Sequence, residues 1–256
     1  MDSLRRIDPH ALTSTPTDRR GQWRQLASPT VFHGWAGRVV PWFAALAVAL
    51  AVAGLVVGFL VAPTDHQQGE VYRIIFIHVP AAWMSMFIYL VAAFHAAMGL
   101  AFHTRLSALM ARALAPTGAL FTVIALWTGA VWGKPTWGTW WVWDARLTSE
   151  LILLFLYLGY LGLVSAIDDP RRADRGGAIV LLAGVVNVPI IYFSVQWWNT
   201  LHQGASISFT AAPAMAHTML VGMLLMAGAC WAYSVAVALV RVRCLIAERD
   251  NLARRR

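Results

Sequence analysis

The chain has 256 residues, 59% of them hydrophobic and only 12% charged, with a mean hydropathy of +0.61. A soluble domain carries about a quarter charged residues, so this composition excludes an ordinary water-soluble globule and points to a surface that faces lipid. The formal charge of +8 and pI near 10.3 do not mark a nucleic-acid binder, because the basic residues recur between apolar runs, as topology signals do, instead of gathering on one motif.

Residues 1–38 are polar and Arg-rich, with Pro9, Pro16 and Pro29 and no secretory-type apolar run after Met1, and they predict a disordered tail. Six apolar segments follow, at about 39–62, 74–102, 113–132, 151–167, 177–195 and 213–239. Each is long enough, as a helix of ~20 residues, to cross a hydrocarbon core of ~30 Å. Pro189 removes a backbone donor inside the fifth segment and predicts a kink there. Pro80 suits the first turn of a helix and biases Val79 to extended backbone, which puts His78 at the lip of the second segment unless Ile74 to Ile77 extend that helix outward. The expected fold is an all-α membrane protein with six transmembrane helices. A tail at 1–38 precedes a six-helix domain at 39–240, whose long loop occupies 133–150, and a basic tail at 241–256 follows.

Seventeen of the 20 Lys and Arg residues fall before the first segment, after the second, after the fourth and after the sixth. The other side holds only Arg73, Lys134 and Arg146. By the positive-inside rule both termini are expected to be cytoplasmic, and the loops 63–73, 133–150 and 196–212 to face outward.

Those outward loops carry the unusual chemistry. Trp132, Trp137, Trp140, Trp141 and Trp143 place five tryptophans in twelve residues, with Gly138 among them and Asp144 next. An interfacial aromatic belt scatters its tryptophans singly over several helix ends. A cluster this dense favours a platform of flat indoles for a flat aromatic ligand, and the glycines permit close backbone approach. His78, in Phe76-Ile-His-Val-Pro80, and His202, in Trp197-Trp-Asn-Thr-Leu-His202, lie on the same side, each beside aromatic residues. A single interfacial histidine more often hydrogen-bonds to backbone. Two on one face can supply both axial ligands to a heme iron. Arg146, Lys134 and Arg73 are the basic residues available to meet heme propionates, although Arg146 can equally pair with Asp144 or Glu150. Thr148 or Ser149 before Glu150 has the form of a helix start.

Other machinery is absent from the sequence. Cys230 and Cys244 are the only cysteines, about 21 Å apart along a helix at ~1.5 Å per residue, and no CxxCH heme-attachment or zinc spacing occurs. Gly129 to Pro135 falls short of a phosphate loop by one residue and has Pro where Ser or Thr is required. The acidic residues all sit in loops, tails or at segment boundaries, which argues against an ion-coupled transporter.

The run Trp137-Gly-Thr-Trp140-Trp141-Val-Trp143-Asp144-Ala-Arg146 resembles the WWD signature of heme-handling proteins. Together with the His78 and His202 motifs it is similar to the CcmC family of system I cytochrome c maturation, from about Gln22 through the sixth segment. The resemblance implies non-covalent, transient binding of heme b at the periplasmic face of the bacterial inner membrane, with His78 and His202 as the axial ligands. It implies delivery to the heme chaperone CcmE, association with the ABC-type subunits CcmA and CcmB and the small subunit CcmD, and no ATPase or strict enzymatic activity in this chain. The 1–38 extension is longer than the resemblance leads one to expect. Alternatives are a WWD-type cytochrome c heme lyase, whose relatives have more spans or large extra domains, and a permease with an aromatic lid. A b-type cytochrome fits poorly, because only His95 is plainly mid-span.

Overall fold

The computed structural model describes residues 28–202 and 215–254. Within them, helix α1 (Pro29–Val56) runs on through a π-helical turn at Val57–Val61, and α2 (Ile75–Phe102) follows a 3-10 turn at Glu70–Ile74. Then come α3 (Arg105–Trp137), α4 (Ala145–Ala166), α5 (Pro170–Gly184), α6 (Asn187–Trp197) and α7 (His217–Arg254). Together, α5 and α6 form one span, so six helical segments among the described residues are long and apolar enough to cross a membrane. The all-α, six-span architecture expected from the sequence is the one observed.

Boundaries differ where local rules compete with the demand that backbone groups in lipid be bonded within the helix. The first span opens at Pro29, in the favourable first position after extended Ser28, ten residues before the apolar run. The expected tail residues 1–27 lie outside those described. Val79 is helical and not extended, Pro80 lies inside α2, and His78 therefore sits one turn into the helix. Continuation outward through Ile75 wins over the preference of the pre-proline residue. α3 runs on through Lys134, Pro135 and Thr136 to Trp137 and stops at Gly138, whose φ of 80° accommodates the left-handed C-cap and whose N–H donates to the Lys134 carbonyl at 3.0 Å. The connection to α4 shrinks to residues 138–144. Neither Thr148 nor Ser149 opens α4; Asp144 is its N-cap. The expected basic tail is helical as far as Arg254. Pro189 has the predicted effect: the fifth span breaks at residues 185–186, because the proline has no N–H to give the Val185 carbonyl one turn back, which instead accepts from the Val188 N–H at 3.1 Å.

α3 is the most buried span and α1 the least. Small residues on α3, among them Ala115, Gly118, Ala119, Ala125 and Gly129, let neighbouring helices approach closely. α2 and α4 pack against it, α5 and α6 pack on α4, and α1 lies along α7. Tyr89 of α2 and Tyr157 of α4 meet edge to face at 5.1 Å in the centre, fully buried. The Tyr157 hydroxyl donates to the Ser85 carbonyl at 2.8 Å, in space that exists only because Gly118 has no side chain: a Cβ there would lie 2.1 Å from the hydroxyl.

Gly118→Val should therefore overpack this contact and destabilise the detergent-solubilised protein by about 1–3 kcal/mol, read as a lower thermal midpoint. Gly159, with nothing within 4 Å of an added Cβ, supplies the control: Gly159→Ala should leave the midpoint unchanged or raise it, since glycine costs a helix interior about 0.5–1 kcal/mol.

Candidate functional site

At the end of the bundle opposite Pro29 and Arg254, five of the six spans line a cavity of about 180 Å³ that opens to the surface. α2 turns one face to it, with Ile75, His78, Val79, Trp83 and Met86 at helical spacing. α3 contributes Gly129, Trp132, Thr136 and Trp137, and α4 contributes Arg146. Tyr192 of α6, Leu201 and His202 just beyond it, and Met215 and Met223 at the start of the last span complete most of the wall. His78 and His202, 124 positions apart in the chain, thus line one cavity.

Each histidine is held through its Nδ1. His78 Nδ1 lies 3.0 Å from Thr128 Oγ1. That hydroxyl already donates its single proton one turn back, to the Ile124 carbonyl at 2.6 Å, so it accepts from His78 and the imidazole carries its proton on Nδ1. Trp132 meets the same ring edge-on at 5.6 Å and is itself fixed by its indole N–H donating to Gln68 Oε1 at 2.8 Å. Gly129 leaves room for the imidazole, as a Cβ there would stand 3.1 Å from His78 Cε1.

His202 Nδ1 lies 3.1 Å from Asp144 Oδ2. The other oxygen of Asp144 accepts the Leu147 N–H at 2.8 Å and caps α4, so the carboxylate cannot swing away without uncapping the helix. Trp137 packs edge-on against His202 at 4.8 Å. Burial pushes the His202 imidazole below the ordinary histidine range; Asp144 opposes that shift and Arg146 adds to it. A neutral imidazole with its proton on Nδ1, facing the carboxylate, has its lone pair on Nε2. Both histidines thus have the arrangement in which a second partner fixes tautomer and ring orientation for a metal-ligating nitrogen.

The three basic residues proposed to meet anionic groups separate. Arg146 lines the cavity. Its alternative carboxylates are taken elsewhere: Asp144 holds His202 and Leu147, and Glu150 accepts from Ser85 Oγ at 2.8 Å. Among the described residues no ion pair forms at its guanidinium. Lys134 is exposed, and its Nζ donates to the Gly138 carbonyl at 3.0 Å. Arg73 pairs with Glu70 and donates to the carbonyls of Gly58 and Ala62. Lys134 and Arg73 lie outside the cavity lining and brace its rim.

The tryptophans divide in the same way. Trp132 and Trp137 form part of the cavity wall. Trp140 and Trp143 are 57% and 76% exposed, and Trp141 packs edge-on against Trp143 at 5.4 Å. With Gly138 they form the outer turn beside the mouth, where Trp143 flanks a shallow depression next to Asn199 and Thr200. Several cavity residues carried no sequence signal strong enough to single them out. Trp83 could have been found one turn after Val79, and Gly129, with its neighbour Thr128 held against His78, one turn before Trp132. Tyr192 and Met223 are brought in by packing alone. Glu150, expected at a span boundary, is buried inside α4, because that helix begins six residues earlier than its apolar run.

The family model described as CcmC, heme exporter protein C, matches residues 22–256. Heme exporter protein C of Escherichia coli (strain K12) is 54% identical over 182 residues, covering 71% of this chain and 74% of the relative. The protein of that name in Bradyrhizobium diazoefficiens is 47% identical over 232 residues, 90% of this chain and 85% of the relative. That of Haemophilus influenzae is 45% identical over 231 residues, 89% and 94%. With a match that runs from the first described helix through the last, and relatives at this identity over most of their own length, the chain belongs to the heme exporter protein C family.

Proposed function

We propose that this protein binds heme b non-covalently in the cavity and presents it at the periplasmic face of the bacterial inner membrane to a CcmE-type heme chaperone during cytochrome c maturation. The observation that carries the reading is the pair His78 and His202, brought to one cavity with both Nδ1 atoms engaged. In this reading their Nε2 atoms ligate the iron from its two faces, Trp132 and Trp137 pack against the ligating rings, and Arg146 meets a propionate.

Membership of the family supports heme as the cargo, and the distribution of basic residues supports cytoplasmic termini with the cavity on the opposite, periplasmic side. A cavity near 180 Å³ is smaller than the ~300–1,000 Å³ sites that enclose most of a drug-sized ligand. A porphyrin held there keeps one edge in the mouth, which suits transfer to a second protein better than permanent storage. The exposed Trp140 and Trp143 beside the mouth would then be offered to the incoming chaperone. The ABC-type subunits CcmA and CcmB and the small subunit CcmD complete the proposed assembly. Any ATP-driven step falls to the partners, since the sequence has no phosphate loop.

Heme co-purifying with the detergent-solubilised protein, quantified as the pyridine hemochrome, should fall at least severalfold in His78→Ala and in His202→Ala, with loss of the low-spin spectrum. Wild-type heme content in both variants would sink the ligand assignment.

Arg146→Gln should reduce heme retention by roughly ten- to a hundredfold, in line with ~1.5–3 kcal/mol for a hydrogen bond to a charged group, whereas Lys134→Gln should leave retention near wild type. Equal losses in the two variants would contradict the separation of roles.

Orientation is checked by labelling intact cells with a membrane-impermeant maleimide, after Cys230 and Cys244 are replaced by serine. Trp140→Cys should react from outside, and restored Cys244 only after permeabilisation.

A further inference from the structure

Three buried threonines lie on α3, and their hydroxyls do different things. Thr122 donates to the Gly118 carbonyl one turn back and has no other polar contact among the described residues. Thr117 accepts from Arg241 Nη1 at 2.6 Å, near the other end of the bundle. Thr128 makes the same backward bond as Thr122, to Ile124, but its oxygen also lies 3.0 Å from His78 Nδ1 and has lone pairs free to accept there. A valine of the same shape would satisfy an apolar bundle at this position, so packing alone does not call for the hydroxyl.

We infer that Thr128 is a positioning residue: by spending its proton on the Ile124 carbonyl it can only accept from the histidine, which fixes His78 with Nδ1 protonated and the Nε2 lone pair turned to the cavity. The inference rests on His78 being an iron ligand. A histidine free to take the other tautomer offers an N–H where a metal requires a lone pair, and a ring free to rotate loses the rest of its alignment. Partners of this kind hold ligating imidazoles elsewhere, and their loss typically costs about 10–100-fold in metal affinity. Gly129, the next residue, acts with Thr128 by keeping the space beside His78 Cε1 empty, so one turn of α3 sets both the proton position and the ring position. At the other ligand the Asp144 carboxylate does the corresponding work for His202, which explains why the His78 side, lacking a carboxylate, needs a hydroxyl whose proton is already committed.

The test is hemin transfer from the full-length, heme-loaded protein in detergent to excess apomyoglobin, together with the optical spectrum of the loaded protein. Thr128→Val should lose hemin roughly tenfold faster than wild type, with part of the low-spin signal converted to high spin. Thr128→Ser should restore both, and Thr122→Val should change neither. In a His78→Ala background Thr128→Val should add nothing, because its partner is already gone. An equal acceleration by Thr128→Val with and without His78 would overturn the proposal, since it would report a general loosening of the bundle. Wild-type behaviour of Thr128→Val in the presence of His78 would overturn it as well. A His78→Ala protein that keeps wild-type hemin retention and low-spin spectrum would instead remove the ligand reading on which the proposal stands.

Discussion

The close approach of α3 to α2 and α4 is the contact on which the rest of the molecule depends. Apolar side chains gain nothing by leaving lipid for one another, so helices in a membrane associate through tight packing and hydrogen bonds. α3 meets that condition with alanines and glycines on its buried faces. Where Gly118 vacates space, Tyr157 reaches across to the α2 backbone. Three turns further on, Gly129 does the same for His78. The feature that binds the central helices together thus also seats a candidate ligand.

Below the cavity three hydrogen bonds join polar groups of different helices, as the absence of water in a bilayer core favours. Ser85 donates to Glu150, Tyr157 to the Ser85 carbonyl, and Asn187 to the Ser149 carbonyl at 2.9 Å. These bonds join α2, α4 and α6 and engage one oxygen of the Glu150 carboxylate. Among the described residues Arg146 forms no ion pair, and its guanidinium lines the cavity. Such an arrangement favours an anionic group arriving from outside.

The rim is built by a separate set of residues. Arg73 ties the α1–α2 connection to the carbonyls of Gly58 and Ala62, and Lys134 closes the last turn of α3 on Gly138. Asp144 serves both rim and site, capping α4 with one oxygen and holding His202 with the other. A single side chain therefore couples the start of a span to the orientation of His202, a candidate ligand that lies 58 residues further along the chain.

Most of the architecture was legible in the sequence because lipid imposes a simple rule: about twenty apolar residues per crossing, with basic residues biased to one side. The six spans, an irregularity at Pro189 and the placement of His78 and His202 towards one end of the bundle follow from residue order and that rule. The signature around Trp140, Trp141 and Asp144 was equally plain, and it led to the family. What the chain order could not divide was the roles within that signature. Five adjacent tryptophans look alike in one dimension, yet α3 continues to Trp137 and its helical geometry turns Trp132 and Trp137 into the cavity while the short turn after Gly138 leaves Trp140 and Trp143 outside. Three basic residues on one side look equally available, yet backbone carbonyls engage Arg73 and Lys134 and leave Arg146 to the site. Thr128, 50 positions from His78, becomes its partner only because α2 and α3 pack at close range. Hydropathy, charge and a local signature are properties of the chain, and they determined spans and family. Which donor meets which acceptor is a property of distances between helices, and only the packed bundle decided it.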